Sequence, residues 1–434
     1  MKINPEILLI VLFTILTGTT SLLAQDWPQY LGPERNSTSE QTGILRSWPE
    51  SGPEILWTAK VGIGNGGPIV KDGKVYLLDR DDEVGDFMRC FSLLSGEELW
   101  NFGYDSPGTV RFSGSRSVPL IDGNYVYSCG HNGEVYCIDI NTHKAVWNKN
   151  VWTDFGGEKI PTWAIVQIPL IYRDMLILAS QTPETGVVVY DKITGEVKWK
   201  TPSLGGTGYV SPAIVKIGEE NHVVMITASD RRAGTGSKVV GINPLNGVVL
   251  WEYTNWSCII PSPSAVDAGD NKVLITGGYE AGAAMIKVAK QSDESYVVTE
   301  LFKNVDFGAH TKPPVFYDGY FYAQYGTNNR RDGLVCMSID GQVMWKTGRE
   351  PGFNKGSIIL ADGLLLATDG DKTLYLIEPD PTGFKPLASA EVLEIAADLA
   401  EARYGNQNWA PIALSDGRLI IRDQNQMVCV KVAE

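Results

Sequence analysis

The stretch Val189-Tyr-Asp-Lys-Ile-Thr-Gly-Glu-Val-Lys-Trp199 carries the pattern that decides the fold of this 434-residue chain. It has the features of a strand end, a turn rich in Asp, Thr and Gly, and a new strand that ends on a large aromatic residue. Related stretches are Cys90-Phe-Ser-Leu-Leu-Ser-Gly-Glu-Glu-Leu-Trp100, Cys137-Ile-Asp-Ile-Asn-Thr-His-Lys-Ala-Val-Trp147, Gly241-Ile-Asn-Pro-Leu-Asn-Gly-Val-Val-Leu-Trp251 and the shorter Cys336-Met-Ser-Ile-Asp-Gly-Gln-Val-Met-Trp345. A unit that recurs about every 40 to 50 residues is typical of a β-propeller, in which each repeat forms one four-stranded blade.

A second phrase precedes these stretches and allows the blades to be counted. It has a small residue or Pro, an apolar strand, an Asp-Gly turn suited to a tight hairpin, and another apolar strand. Copies begin at Pro68, Pro119, Pro169, Pro212, Pro263, Pro314, Ser357 and Pro411. The last copy lacks a closing aromatic strand, whereas a spare strand ending near Trp57 precedes the first. We therefore predict an all-β, eight-bladed β-propeller of four-stranded antiparallel blades, with the ring closed by the N-terminal strand.

The repeat resembles that of a known family. The pattern Asp-x-x-Thr-Gly-x-x-x-Trp, present from Asp191 to Trp199, is similar to the repeat of the PQQ-like β-propellers. The opening stretch Asp26-Trp-Pro-Gln-Tyr-Leu-Gly-Pro-Glu-Arg-Asn36 resembles the lead-in of secreted members. The family contains quinoprotein alcohol dehydrogenases and also the propeller of BamB, an outer-membrane protein assembly lipoprotein. The resemblance thus implies the fold and leaves open whether the protein is an enzyme or a binding scaffold.

The first residues have the features of an export signal. Lys2 is followed by an apolar run over residues 7–16, a polar stretch and a small residue at Ala24, which predicts a signal peptide removed after Ala24. A retained membrane anchor is the alternative, although the run is short for a span. We expect a signal peptide at 1–24, a lead-in segment at 25–53 and the propeller at 54–434. The mature protein is expected to be periplasmic or secreted, monomeric and without an integral membrane span.

The net charge limits the possible binding partners, and the placement of the cysteines limits the possible disulfides. The net charge of −14 argues against nucleic-acid binding. Four cysteines share one position of the repeat, which indicates small buried strand residues instead of a disulfide framework: Cys90, Cys137, Cys336 and Cys429. Cys129 and Cys137 flank one hairpin, so a disulfide between them remains open.

The connections between blades are expected to carry the binding site. In a propeller they surround the channel on one face, together with the loops between second and third strands, and this channel mouth is the expected ligand site. These connections are basic and aromatic in an otherwise acidic chain. The candidates for an anionic ligand are Arg116, Trp163, Lys312, Lys355 and Trp409, with Arg111 and Tyr209 nearby and Arg231, Arg232, Arg330 and Arg331 farther out. The alternative is that each loop charge is simply solvated.

Three functions are compatible with these features. The first, which we favour, is a non-catalytic platform that binds a protein partner or an anionic or glycan ligand on the loop face, since the chain has no catalytic or metal-ligand motif. The second, implied by the resemblance, is a PQQ-dependent oxidoreductase acting on an alcohol or sugar with the help of Ca²⁺. The third is a glycan lyase that uses His310 with Tyr209 or Lys312 as acid–base groups.

The resemblance also implies roles for the candidates if PQQ binds. Trp409 or Trp163 would be the stacking floor, and Arg116, Lys312 and Lys355 would contact the carboxylates. The adjacent Cys pair that forms a disulfide in such enzymes is missing from this chain. We assign no cofactor beyond possible PQQ with Ca²⁺. We also predict no metal ligands. The catalytic candidate is His310.

Overall fold

The computed structural model describes residues 25–230, 234–324, 332–395 and 406–434. These residues form eight four-stranded antiparallel sheets. Seven consist of four consecutive strands, one of these seven has an additional two-residue parallel strand, and the eighth combines three consecutive strands with the N-terminal strand Ile55–Lys60. The all-β, eight-bladed propeller predicted from the repeats is therefore confirmed. Within the described ranges, no helix is long and apolar enough to cross a membrane. The expected signal peptide, 1–24, lies outside the described residues, as do residues 396–404 of the poorly patterned stretch before the last blade.

The strands follow the order expected for a propeller. Before the first blade come β1, Thr38–Ser39, and β2, Ile55–Lys60. Blade one contains β3 Ile69–Lys71, β4 Lys74–Asp81, β5 Gly85–Ser92 and β6 Glu98–Gly103. Blade two contains β7 Leu120–Asp122, β8 Tyr125–Cys129, β9 Glu134–Asp139 and β10 Lys144–Asn150, followed by a 3₁₀ turn, Thr153–Phe155. Blade three contains β11 Leu170–Tyr172, β12 Met175–Ala179, β13 Thr185–Asp191 and β14 Val197–Pro202.

The remaining blades repeat this arrangement. Blade four contains β15 Ala213–Ile217, β16 Glu220–Ile226, β17 Val239–Ile242 and β18 Val249–Tyr253, and blade five contains β19 Val266–Asp267, β20 Lys272–Gly277, β21 Gly282–Lys290 and β22 Tyr296–Asn304. Blade six contains β23 Val315–Tyr317, β24 Tyr320–Gln324, β25 Leu334–Ser338 and β26 Val343–Lys346. Blade seven contains β27 Ile358–Ala361, β28 Leu364–Thr368, β29 Thr373–Glu378 and β30 Lys385–Glu391. Blade eight contains β31 Ala413–Ser415, β32 Arg418–Arg422 and β33 Gln426–Lys431.

The N-terminal strand β2 closes the ring. It pairs antiparallel with β33 and so becomes the fourth strand of blade eight, with Trp57 opposite Cys429. This is the closure predicted from the spare strand before the first blade. Because the first and last parts of the chain share one sheet, neither blade one nor blade eight can separate without breaking that sheet.

A row of three side chains, each on a neighbouring strand of the same blade, recurs in several blades and explains the repeated cysteines. Cys90 lies opposite Tyr76 of the second strand and Trp100 of the fourth. The same row occurs in blades two and six, with Cys137 and Cys336 at its centre. A small apolar residue fits there because it lies between two large rings. The expectation of small buried strand residues is confirmed, since all four repeat cysteines are fully buried.

The possible disulfide in blade two is not formed. All six cysteines of the chain are free thiols. Across the hairpin, Cys129 lies opposite Val135, whereas Cys137 lies opposite Tyr127. The two cysteines are thus two positions apart in register, and the register of the hairpin keeps them from pairing.

In several blades the repeated Trp connects the blade to the next. The indole Nε1 of Trp147 donates a hydrogen bond to the carbonyl oxygen of Lys192, 3.1 Å away in the turn of blade three. Gly195 of that turn has φ +71°, and a Cβ there would lie 2.7 Å from the Trp147 ring. Trp57 and Trp199 dock on the following blades in the same way, by bonds of 2.8 and 3.1 Å. The Gly of the repeat therefore allows the positive φ of its own turn and leaves room for the aromatic ring of the neighbouring blade.

Two of the repeated Trp residues depart from this arrangement, each with a compensating residue. Where a Gly is expected in the turn of blade two, His143 adopts φ +58° and stacks on Trp100 with ring centroids 4.7 Å apart. In blade four, Trp251 turns back onto its own sheet and donates to His222 Nδ1 at 2.9 Å. Gly241 replaces the usual Cys or Val beneath it, because any side chain there would overlap the indole.

The lead-in segment crosses the inside of the ring, which the repeat pattern did not indicate. Its residues contact the first strands, or the residues just before them, of four blades, and also the end of blade eight. In chain order the contacts are Trp27 with Val70 of blade one, Pro28 with Ile121 of blade two, Arg35 with Pro169 of blade three, Ser37 with Leu360 of blade seven and Ile44 with Ala433 at the end of blade eight. We call residues 26–37 the floor segment, because they lie across the channel.

We predict that Trp147→Ala lowers the free energy of unfolding by about 3–5 kcal/mol, since it removes a buried aromatic ring between two blades. The control is Leu99→Ala in the exposed part of β6, which should change stability by less than about 0.5 kcal/mol. Denaturant unfolding followed by circular dichroism measures both. Equal effects of the two substitutions would contradict the role of Trp147 between blades.

Removal of residues 25–60 is expected to lower the melting temperature sharply. The deletion takes away β2, exposes the edge of β33 and opens the ring between blades one and eight. Differential scanning calorimetry of the shortened and longer chains tests this expectation. An unchanged melting temperature would show that the ring does not depend on the N-terminal strand.

Candidate functional site

A cavity of about 540 Å³ lies at the mouth of the central channel. The five site residues predicted from sequence, Arg116, Trp163, Lys312, Lys355 and Trp409, all line it. His310 lines it as well. These residues belong to five different inter-blade connections, which the circular arrangement of blades brings to one place. Their proximity is thus a property of the ring, whereas their role in binding remains a prediction.

Several lining residues were not singled out from the sequence. Tyr30 comes from the floor segment, and Tyr279 comes from the loop between the second and third strands of blade five. Phe112 and Asn65 complete the wall near blade one. Tyr279 could have been found from its place in a loop of the expected face, and Phe112 from its position between Arg111 and Arg116. Tyr30 had no such signal, because it lies outside the repeats.

The cavity is lined by cations. Arg111, Arg116, Lys312 and Lys355 contribute four positive side chains, and no Asp or Glu is among the described residues that line it. The chain as a whole has a net charge of −14. Positive charge is therefore concentrated at this cavity, where low solvent access weakens screening and strengthens the mutual repulsion of the cations.

The pKa values of the site reflect this crowding. Burial, and after it the charge of Lys355, lowers the pKa of Lys312 to about 7. Burial also lowers the pKa of Arg116 to about 10. For His310, burial and then the charges of Lys355 and Lys312 lower the pKa to about 3. The imidazole is consequently neutral at pH 7, which makes it a poor general acid for the lyase reaction considered from the sequence.

Lys312 holds three connections together. Its ammonium donates to the carbonyl oxygens of Lys355 at 2.8 Å and Trp409 at 2.7 Å, and to the hydroxyl of Thr311 at 3.2 Å. The three protons are thus directed at protein acceptors. An anion in the cavity would experience the positive charge of Lys312, while a direct hydrogen bond would require one of these contacts to be given up. The direct carboxylate contact anticipated from the sequence therefore fits Lys312 less well than Lys355.

Lys355 and Trp409 form one wall. The Lys355 ammonium lies 4.2 Å from the centroid of the Trp409 ring, within the range of a cation–π contact. Lys355 has φ +60°, a left-handed conformation that turns its side chain toward this ring. The Phe112 ring lies 6.3 Å from Trp409 on another side. One face of Trp409 is therefore covered by Lys355.

Arg116 and Trp163 form the opposite wall. The guanidinium of Arg116 donates to the carbonyl oxygens of Gly114, at 3.0 Å, and of Phe112 in its own connection. These bonds fix the loop and place the charge at the cavity. Trp163 packs edge-to-face with Tyr209, with ring centroids 5.3 Å apart. The two walls together present aromatic rings and fixed positive charges to a bound molecule.

Four further arginines expected on the same face lie outside the described residues. These are Arg231, Arg232, Arg330 and Arg331.

Comparisons with known proteins agree with this architecture. A sequence profile described as "Outer membrane protein assembly factor BamB" matches residues 85–294. No curated protein matches the chain in sequence. The crystal structure of BamB from Moraxella catarrhalis superposes with a TM-score of 0.56 and 11% identity, covering 87% of this chain and 96% of that chain.

Two enzymes share the fold to a similar degree. Quinohemoprotein alcohol dehydrogenase from Comamonas testosteroni superposes with a TM-score of 0.62 and 13% identity, covering 94% of this chain and 81% of that chain. A europium-containing methanol dehydrogenase gives a TM-score of 0.60 and 11% identity, covering 92% and 89%. At such low identities the likeness shows the fold alone.

Proposed function

Because the chain is a PQQ-like β-propeller, we propose that it is an exported, non-catalytic binding protein whose ligand enters the cavity at the channel mouth. The ligand is anionic and has a flat face. The observation that supports this most directly is the cluster of four cations without a described carboxylate in the lining. An anion would relieve the repulsion among these cations, and the aromatic walls would contact its flat face.

The chemistry of the cavity suits carboxylates. Arg and Lys side chains recognise carboxylates by charge-assisted hydrogen bonds. A sugar acid, an acidic side chain of a protein partner or a small aromatic acid each combines a carboxylate with a surface that packs on Trp163 or Tyr209. The proposed export depends on residues 1–24, whose sequence has the order of a signal peptide.

A PQQ-dependent oxidoreductase is the second candidate, and the cations and aromatic rings favour it in part. A planar tricarboxylate fits these residues. Ca²⁺ fits less well, because the described lining offers hydroxyl groups and the Asn65 amide but no carboxylate. The described residues also contain no group of three or more His, Cys, Asp or Glu able to hold a metal ion. The donor set therefore supports binding of an anion better than oxidation of an alcohol or sugar.

A calorimetric titration with PQQ separates the two candidates. The protein starting at Gln25 is titrated with and without Ca²⁺, and dye reduction is measured with alcohols and sugars. Binding that does not require Ca²⁺, without dye reduction, supports the binding protein. Ca²⁺-dependent binding with dye reduction would establish the oxidoreductase instead. Absence of binding for PQQ and for benzene-1,3,5-tricarboxylate at millimolar concentration would overturn the proposed anion site.

Lys355→Met is predicted to weaken binding of benzene-1,3,5-tricarboxylate by about tenfold or more, the equivalent of about 1.4 kcal/mol. The substitution removes the charge above Trp409 and retains a side chain of similar length. The matched control is Lys159→Met, an exposed Lys on the same face that does not line the cavity. Equal affinities of the two variants would argue against a role for Lys355 in binding.

Anion binding at pH 8 is predicted to take up protons. With a pKa of about 7, Lys312 is mostly neutral at pH 8 before binding. A bound anion favours the ammonium and raises this pKa, so up to about one proton is taken up. Calorimetry in Tris and in triethanolamine, two cationic buffers that differ in ionisation enthalpy, measures the uptake. Lys312→Arg should abolish it, because arginine keeps its charge at this pH; a buffer-independent enthalpy for the unsubstituted protein would contradict the prediction.

A further inference from the structure

The floor segment, residues 26–37, lies beneath the cavity. Tyr30 lines the cavity itself. At the other side of the channel, Ser37 lines a small space below Lys312, with room for about one water molecule. The segment therefore extends under the site from the side of blade three to the side of blades six and seven.

Internal bonds make the floor segment a compact turn. The amide of Gly32 donates to Gln29 O at 3.1 Å, and the amide of Ser37 donates to Leu31 O at 2.8 Å. Gly32 has φ +83°, and a Cβ there would lie 2.8 Å from the Trp27 ring. The segment thus has a defined conformation in which the Trp27 ring packs against the turn.

Hydrogen bonds attach the floor segment to several blades. Trp27 and Val70 of blade one exchange two backbone bonds of 2.9 Å, and Ile121 of blade two donates to Pro28 O at 2.9 Å. In blade seven, Leu360 donates to Ser37 O at 2.9 Å. Blade seven lies opposite blade three, to which Arg35 is bonded, so the segment cannot swing aside without losing contacts to at least one of these blades.

Tyr30 is held in place from below. The guanidinium of Arg35 lies 5.7 Å from the centroid of the Tyr30 ring. Arg35 in turn donates to the carbonyl oxygen of Pro169 at 2.9 Å, just before the first strand of blade three. Tyr30 is 5% exposed, and this small exposed part faces the cavity.

We infer that the floor segment seals the channel beneath the cavity, so that the site takes a discrete carboxylated ring compound, free or at the end of a chain, from the loop face only. Tyr30 sets the depth to which this ligand enters. The inference rests on the proposed function, because it specifies the ligand class of the same cavity. A polymer that passes through the channel is incompatible with this geometry. The cavity volume of about 540 Å³ is within the usual range for a small-molecule site.

Ligand length provides the first test. Galacturonate oligomers of one to six units are titrated into the protein starting at Gln25, with benzene-1,3,5-tricarboxylate as a compact reference. For a closed cavity, affinity should rise over the first one or two units and then stay constant. Affinity that continues to rise up to six units would overturn the inference, while the anion site itself would stand. Failure of every probe to bind would overturn both the inference and the proposed function.

Tyr30 provides the second test. Tyr30→Trp places a larger ring at the floor and should weaken tricarboxylate binding at least tenfold, since the ligand can no longer enter as deeply. Tyr30→Phe retains the ring and should bind within about twofold of the unsubstituted protein. Melting temperatures of both variants are measured first, and only a folded variant is compared. Unchanged affinity in a folded Tyr30→Trp variant would show that Tyr30 does not limit the depth of the site.

Discussion

The contact between the Trp of one blade and the turn of the next is the constraint on which the ring depends. A single four-stranded sheet leaves both faces in need of cover, and neighbouring blades cover each other. Trp147 illustrates how this is achieved, because its ring packs on Gly195 while its indole nitrogen binds the backbone of Lys192. Gly suits this contact for two reasons at once, the positive φ of the turn and the absence of a side chain beneath the ring. The contact therefore links the turn of one blade to the packing of its neighbour.

The cavity is a consequence of that circle. Connections that are far apart in sequence converge at the channel mouth only because the blades close into a ring. Lys312, from the connection before blade six, reaches the backbone of Trp409, from the connection before blade eight. This convergence gathers cations that would be independent surface charges in separate loops. Burial, and after it the proximity of these cations, lowers the pKa of Lys312 and His310, and the same proximity makes an anion a favourable occupant.

The sequence predicted features that depend on local patterns within a blade, and it did not predict contacts between residues far apart in sequence. Blade number, the closing strand and the buried repeat cysteines depend on periodic patterns within a blade, and all three are confirmed by the structure. The residues of the cavity were predicted as a set because the fold itself indicates which loops share a face. Their individual contacts were not predictable. The bonds of Lys312 to two carbonyl groups distant in sequence depend on the exact position of each connection in the folded ring. The register that separates Cys129 from Cys137 was likewise visible only once the hairpin was formed.

By itself the sequence determined an eight-bladed ring with an N-terminal closing strand and a basic, aromatic loop face, because local turn chemistry and hydrophobic alternation repeat with each blade. Only the tertiary structure decided that the channel has a floor. Residues 26–37 lie outside the repeats, and their positions depend on bonds to blades as distant in sequence as Val70 and Leu360. The periodic patterns of the sequence do not indicate such contacts. The depth of the cavity, and with it the kind of ligand that the cavity can accept, is therefore a property of the assembled ring.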